Sequence, residues 1–244
     1  MKPLYRGALA LTAVVACAAS ATGVETIGVT AGVQNQVIGK MGAKSWSLVR
    51  GEGLFQDENI ITSKDSATQL LFRDETSLTV GPESTVVLDE FVYDPKQETG
   101  KIVLNATKGA FRFISGSLDP RSYQIKTPVA TVGVRGTICE FLVDETTTPQ
   151  TLIMRTCQGT CLVDGQPVPA GREVTFVAGA GQVSDQAMDP KSCQSIAPSR
   201  AEFRSNDLGT GYDVPGRDIT DAITPPPVVV PPPGGGYTPP VDVD

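Results

Sequence analysis

The 244-residue chain contains no histidine. That excludes every catalytic triad and every zinc site built on imidazole, and it removes the commonest general base near neutral pH. Aromatic residues make up 6%, and Trp46 is the single tryptophan. That is too few for a sugar platform of several stacked rings. No dense basic run occurs, and 20 Lys+Arg against 27 Asp+Glu give a net charge of −7. The electrostatic footprint of a nucleic-acid binder is missing, so no nucleic-acid partner is expected. No segment reaches the ~20 consecutive apolar residues of a membrane-spanning helix. Neither a Gly-x-Ser-x-Gly elbow nor the ligand order of an EF-hand loop is present. Acid–base chemistry is left to Asp, Glu, Lys and Cys. Asp89, Glu90 and Asp94, around Phe91-Val92-Tyr93, have the residue types of a glycosidase pair. An exposed charged loop is the plainer reading. The expectation is a protein that is not an enzyme, with no cofactor and no metal.

What is present begins with an export pattern. Lys2 and Arg6 precede an apolar run from Ala8 to Ala21 that ends in Ala19-Ser20-Ala21. A basic start, a short apolar middle and a small-residue site make residues 1–21 a signal peptide, cleaved after Ala21. Val14-Val15-Ala16-Cys17 offers a second reading, a lipoprotein box in which Cys17 is acylated and becomes the first residue. Either way the expected location is outside the cytoplasm, in the periplasm or at the cell surface, free or lipid-anchored.

That compartment changes how the other four cysteines read. Cys139, Cys157, Cys161 and Cys193 form an even set, and an oxidising space favours two disulfides with three open connectivities. Cys157-Gln158-Gly159-Thr160-Cys161 reads as two strand ends around a three-residue turn. The two thiols would face each other across that hairpin. The expected pairs are therefore Cys157–Cys161 and Cys139–Cys193. Spacings of 18, 4 and 32 match no common zinc pattern.

Hydrophobic content of 40% is enough for a core. Residues 22–44 are a mixed lead-in, and 45–183 have the texture of an all-β domain, with short Val, Ile, Thr, Leu and Phe runs between turn residues. Thr68, Thr76 and Ser84 recur at an eight-residue interval, as do Leu70, Leu78 and Val86, and Phe72, Val80 and Leu88. Equal short strands of this kind suit a twisted β-solenoid-like stack or a meander, and turn signals at intervals of about 8–12 residues suit a β-sandwich, barrel or solenoid. Further strands are expected at 102–104, 109–114, 123–126, 130–134, 138–143, 151–157, 161–163 and 173–177. Residues 184–223 are polar and weakly structured, with a short helix expected near 198–204. Residues 224–244 hold eight prolines and a Gly-Gly-Gly hinge. Such a tail cannot form a core and is expected to be disordered, in polyproline II form.

The most specific stretch is Thr127-Pro128-Val129-Ala130-Thr131-Val132-Gly133-Val134-Arg135-Gly136-Thr137-Ile138-Cys139-Glu140-Phe141. It resembles the hallmark of the FecR domain family, Thr-Pro-x-Ala-x-x-Gly-Val-Arg-Gly-Thr. Gly109-Ala110-Phe111-Arg112-Phe113 resembles a second family strand, and Asp57–Thr62 and Gln69–Phe72 sit where the first strands of the family lie. The resemblance covers about residues 45–182. The family's Asp-Gly-Ser/Thr turn reads Asp74-Glu75-Thr76 here, with glutamate in place of glycine.

The motif has a physical reading of its own. Gly133 and Gly136 permit close approach or positive φ. Arg135 between them would be a half-buried fork that locks a chain crossing. Thr127, Pro128, Ala130, Gly133, Val134, Arg135, Gly136 and Thr137 are thus expected to be structural. The best-known family members place a sigma-controlling segment and a transmembrane helix ahead of a periplasmic FecR domain. An export signal opens this sequence, so sigma-factor control is not expected. It resembles the free exported members instead. The reading is a non-enzymatic interaction module of the bacterial cell envelope, possessing a signalling role through another envelope or surface protein. The alternative is a structural wall- or matrix-associated protein with the Pro-rich tail as spacer.

Overall fold

A computed structural model describes residues 25–193. The expected signal peptide, Cys17, the helix near 198–204 and the Pro-rich tail lie outside the described residues. Fifteen strands follow one another: β1 Gly28–Gln34, β2 Val37–Met41, β3 Lys44–Ser47, β4 Gly53–Leu54, β5 Asn59–Thr62, β6 Ala67–Phe72, β7 Ser77–Val80, β8 Thr85–Asp94, β9 Thr99–Ile114, β10 Tyr123–Lys126, β11 Thr131–Asp144, β12 Thr151–Val163, β13 Gln166–Pro169, β14 Arg172–Val177 and β15 Gly181–Ala187. Two single 3-10 turns, Pro120–Ser122 and Pro190–Cys193, are the only helical pieces among the described residues.

The eight-residue pattern marks the inward positions: Leu70, Phe72, Leu78, Val80, Val86 and Leu88 are all buried. Its stacking is antiparallel. Leu70 lies opposite Leu78 in a β6–β7 hairpin, while β8 leaves that hairpin to pair with β5 and β9. The stretch is one hairpin followed by a strand that crosses to other partners, so neither a stack of equal rungs nor a three-strand meander describes it. Asp164-Gly165 closes the two-residue β12–β13 hairpin with φ of 47° and 81°, the positive pair that a type I′ turn requires.

All strands belong to one sheet, ordered β15-β14-β12-β11-β10-β9-β7-β6-β1-β4, with β8, β5, β2 and β3 branching from β9 and β13 pairing with β12. The sheet closes into a small five-stranded barrel with the other strands packed outside it. The lead-in is part of this sheet. Val29 in β1 sits opposite Leu71, and Ile38 in β2 sits opposite Ile61.

Three long strands make closure possible. The runs expected at 102–104 and 109–114 are one strand, β9; those at 130–134 and 138–143 are β11; those at 151–157 and 161–163 are β12. Each changes partner at a glycine with positive φ: Gly109 (100°), Gly136 (56°) and Gly159 (72°). Before Gly109, β9 pairs with β8 and β10; after it, with β7 and β11. A glycine inside a β pattern thus marks a bend rather than an end. One main apolar cluster fills the inside of the bent sheet, with Phe111 and Phe141 stacked at 5.1 Å and Phe113 edge-on to Tyr123 at 5.6 Å.

Candidate functional site

The Thr127–Thr137 run enters, crosses and leaves the bend of β11. Thr127 builds the turn from β10. Its Oγ1 accepts from the Val129 and Ala130 amides at 3.2 and 3.0 Å and donates to the Ala130 carbonyl at 2.7 Å. Pro128 supplies the fixed φ of such a turn. Ala130, Val132 and Val134 point into the core. The Thr131 amide donates to Asp164 Oδ1 at 2.8 Å, which ties the motif to the β12–β13 hairpin. Gly136 provides the left-handed φ, and its surroundings are open, so conformation and not space demands glycine there. Gly133 differs: a Cβ would meet Leu162 at 3.4 Å, an ordinary contact. Thr137 takes Ser115 Oγ on its amide at 3.1 Å and stitches β11 to the end of β9. The Arg135 backbone pairs with Thr160; its side chain lies outside the described residues.

Both disulfides lie at this bend, but not with the expected pairing. Cys139 bonds Cys161 with their Cα atoms 6.2 Å apart, and Cys157 bonds Cys193 at 5.7 Å. Cys157 and Cys161 cannot pair because no hairpin separates them. Both lie on β12, and four steps along a strand span on the order of 13 Å. Gly159 bends the strand without reversing it. Gly136 and Thr137 stand opposite Gly159 in the register, so β11 and β12 fold together there. The fold brings the inner faces on either side of the bend, Cys139 and Cys161, within bonding reach. Cys157 stands out of register beside Cys139, which pairs with Thr156, and joins the turn after β15.

Sequence reasoning missed a charged row on the outer face. Thr79, Arg112, Glu140, Arg155, Glu173 and Gln186 are consecutive cross-strand neighbours from β7 to β15. Arg112 Nη1 lies 2.9 Å from Glu140 Oε1, with side chains 8% and 1% exposed; Arg155 Nε lies 2.6 Å from Glu173 Oε2, 6% and 13% exposed. Arg112 also donates to the Cys193 carbonyl at 3.1 Å. Charges this buried persist because they are paired. The visible signal was a charge inside an apolar run, Phe111-Arg112-Phe113 and Cys139-Glu140-Phe141.

Other ionisable groups are built into the structure. Asp89 pairs with Lys126 at 2.9 Å and Glu90 with Lys101 at 2.7 Å, while Asp94 accepts from the Lys96 amide at 2.9 Å. Asp74, in the Asp-Glu-Thr turn, accepts from Thr76 Oγ1 at 2.6 Å and from the Tyr123 hydroxyl at 2.9 Å. Glu75 takes the glycine position of that turn with φ of 71°. Burial pushes the Tyr123 phenol up to about 12. Buried Glu58 accepts from the Phe55 amide at 3.0 Å, and burial pushes its carboxyl up to about 7.

Beside the motif an open groove of about 790 Å³ runs between β10, the 119–122 turn and the β12–β13 hairpin. Its walls include Lys101, Arg121, Gln124, Thr131, Gly133 and Asp164. Of the motif, Thr131, Val132, Gly133 and Val134 border this groove, and Val132 and Val134 are also buried in the core.

An all-β domain built on bent strands, with one turn-and-corner run at its bend and no assembled catalytic set among the described residues, is the class that fold and site define. Residues 58–159 match the model of the FecR family, described as FecR protein, and this stretch is a FecR domain. No curated protein matches the chain. Two crystal structures of a candidate anti-sigma factor from Parabacteroides distasonis are similar to it, each at 11% identity and a TM-score of 0.44, over 56% of this chain and 62% of theirs. The chain thus spans less than two thirds of those proteins, and the likeness is too weak to carry a functional statement.

Proposed function

We propose that this protein is an exported, non-enzymatic interaction module of the bacterial cell envelope, which recognises another envelope or surface protein in a signalling role through the groove beside the motif. The observation that carries this reading is the division of labour within Thr127–Thr137. Val132 and Val134 are buried in the core, while Thr131 and Gly133 beside them stand on the wall of an open groove with Lys101, Arg121, Gln124 and Asp164. A face fits better than a strand edge. Pro167 and Pro169 blunt β13, and a bulge opposite Thr175/Phe176 interrupts β15. Export is supported by the basic, apolar and small-residue start and by two disulfides. No helix among the described residues is long and apolar enough to cross a membrane. The Pro-rich tail favours a second reading, a wall- or matrix-associated protein with the tail as spacer.

The test places a photo-cross-linker at Gln124, in the groove, or at Val183, exposed on β15, in a tagged copy in the native host. One dominant envelope protein captured from Gln124 and not from Val183 supports the reading. Capture of wall fragments alone, released only by wall digestion, supports the spacer. N-terminal analysis of the same sample separates cleavage after Ala21 from acylation of Cys17, and an intact Met1 overturns export.

A further inference from the structure

We propose that Cys157, Cys193 and Glu140 form a zinc site when the Cys157–Cys193 disulfide is reduced. The two Sγ atoms and a Glu140 carboxylate oxygen all lie within 4.8 Å of one another, from β12, the turn after β15 and β11. Tetrahedral zinc, with Zn–S near 2.3 Å and Zn–O near 2.0–2.2 Å, holds its ligand atoms roughly 3.3–3.8 Å apart. On reduction the two sulfurs separate to about 3.8 Å, and a shift of the carboxylate oxygen of on the order of 1 Å then closes the set. Cys157 and Cys193 are half-buried, so reductant and metal can reach them; Cys139 and Cys161 are fully buried. Among the described residues this is the one group with three donors in reach of a metal.

Charge fits the assignment. In the oxidised molecule Arg112 balances Glu140. Reduction by a dithiol breaks the S–S bond, forms two S–H groups and leaves the dithiol as its own disulfide. Zinc then displaces both thiol protons. Two thiolates, one carboxylate and one guanidinium sum to −2, which the dication neutralises. Arg112 on Oε1 orients the carboxylate from behind, as outer partners of metal ligands do. The fourth position falls to water. The sequence spacing of the cysteines hides this set because its third donor is a glutamate brought in by strand pairing. The segment 188–193 would stay fastened in both states, by sulfur when oxidised and by zinc when reduced.

The test uses the full chain, reduced with a water-soluble phosphine and titrated with Co²⁺, then Zn²⁺. One equivalent of Co²⁺ with thiolate-to-cobalt charge-transfer absorption, displaced by Zn²⁺ and absent from the oxidised chain, is expected. Glu140→Gln should weaken Zn²⁺ binding at least tenfold, and Cys193→Ser, in the peripheral segment, should abolish the absorption while the fold stays intact. Zinc should also protect Cys157 and Cys193 from alkylation. No charge-transfer band in the reduced protein, or a band that survives Cys193→Ser, overturns the site.

Discussion

The two disulfides sit a few residues apart and do different jobs. Cys139–Cys161 lies wholly inside the bend of β11 and β12, whereas Cys157–Cys193 is half-buried at its rim and fastens the end of the domain. Chain entropy alone ranks them the other way. The rim bond closes 36 residues against 22, worth about 0.4 kcal/mol more in the unfolded state. Burial should outweigh this, because opening the inner bond leaves two sulfurs' worth of packing inside the core. Replacing Cys139 and Cys161 by alanine should cost about 2–5 kcal/mol in denaturant unfolding, and replacing Cys157 and Cys193 clearly less. Hydrogen exchange should spread over β11 and β12 in the first variant and stay within 181–193 in the second. Equal losses would mean that loop closure, and not the corner, sets the value of these bonds.

The same contrast holds for ion pairs. Arg112→Ala strands Glu140 in the interior and should cost about 3–5 kcal/mol. The exposed pair Arg172–Asp185 on the neighbouring strands should give less than about 1 kcal/mol when Arg172 becomes alanine. Thermal melts of the two variants compare them directly, and a small effect at Arg112 would break the comparison.

Within the motif the contrast narrows to two glycines. Gly136→Ala forces a side chain into a left-handed φ and should cost about 1–3 kcal/mol; Gly133→Ala meets only an ordinary contact with Leu162 and should stay within about 1 kcal/mol. Equal effects would assign the corner's strain elsewhere.

A contrast in pH dependence concerns two buried glutamates. Glu140 is paired with Arg112, whereas burial pushes Glu58 from 4.5 to about 7. A raised carboxyl pKa means the folded state holds the proton more tightly. The stabilisation is therefore complete below pH 4.5 and lost as pH rises through about 7. Denaturation midpoints of the natural protein should fall from pH 5 to pH 8 more steeply than those of Glu58→Gln, and parallel profiles would refute the assignment.

Much of this molecule was legible in its residues. The short apolar runs between turn residues pointed to an all-β domain, and the inward positions of the eight-residue repeat are the buried ones. The FecR stretch was readable because turn, crossing and corner each require particular residue types. Strands β1 and β2 were hidden by their glycines and half-polar pattern, and β15 by its exposed polar faces. Local chemistry cannot tell a glycine that ends a strand from one that bends it, since both need the same φ. Only the partner strands decide, and they made Gly109, Gly136 and Gly159 into corners. From that one difference follow the disulfide pairing, the charged row on the outer face and the meeting of Glu140 with Cys157 and Cys193. Each joins residues whose distance apart is set by sheet register, which depends on the packing of the whole sheet and not on any local run of sequence.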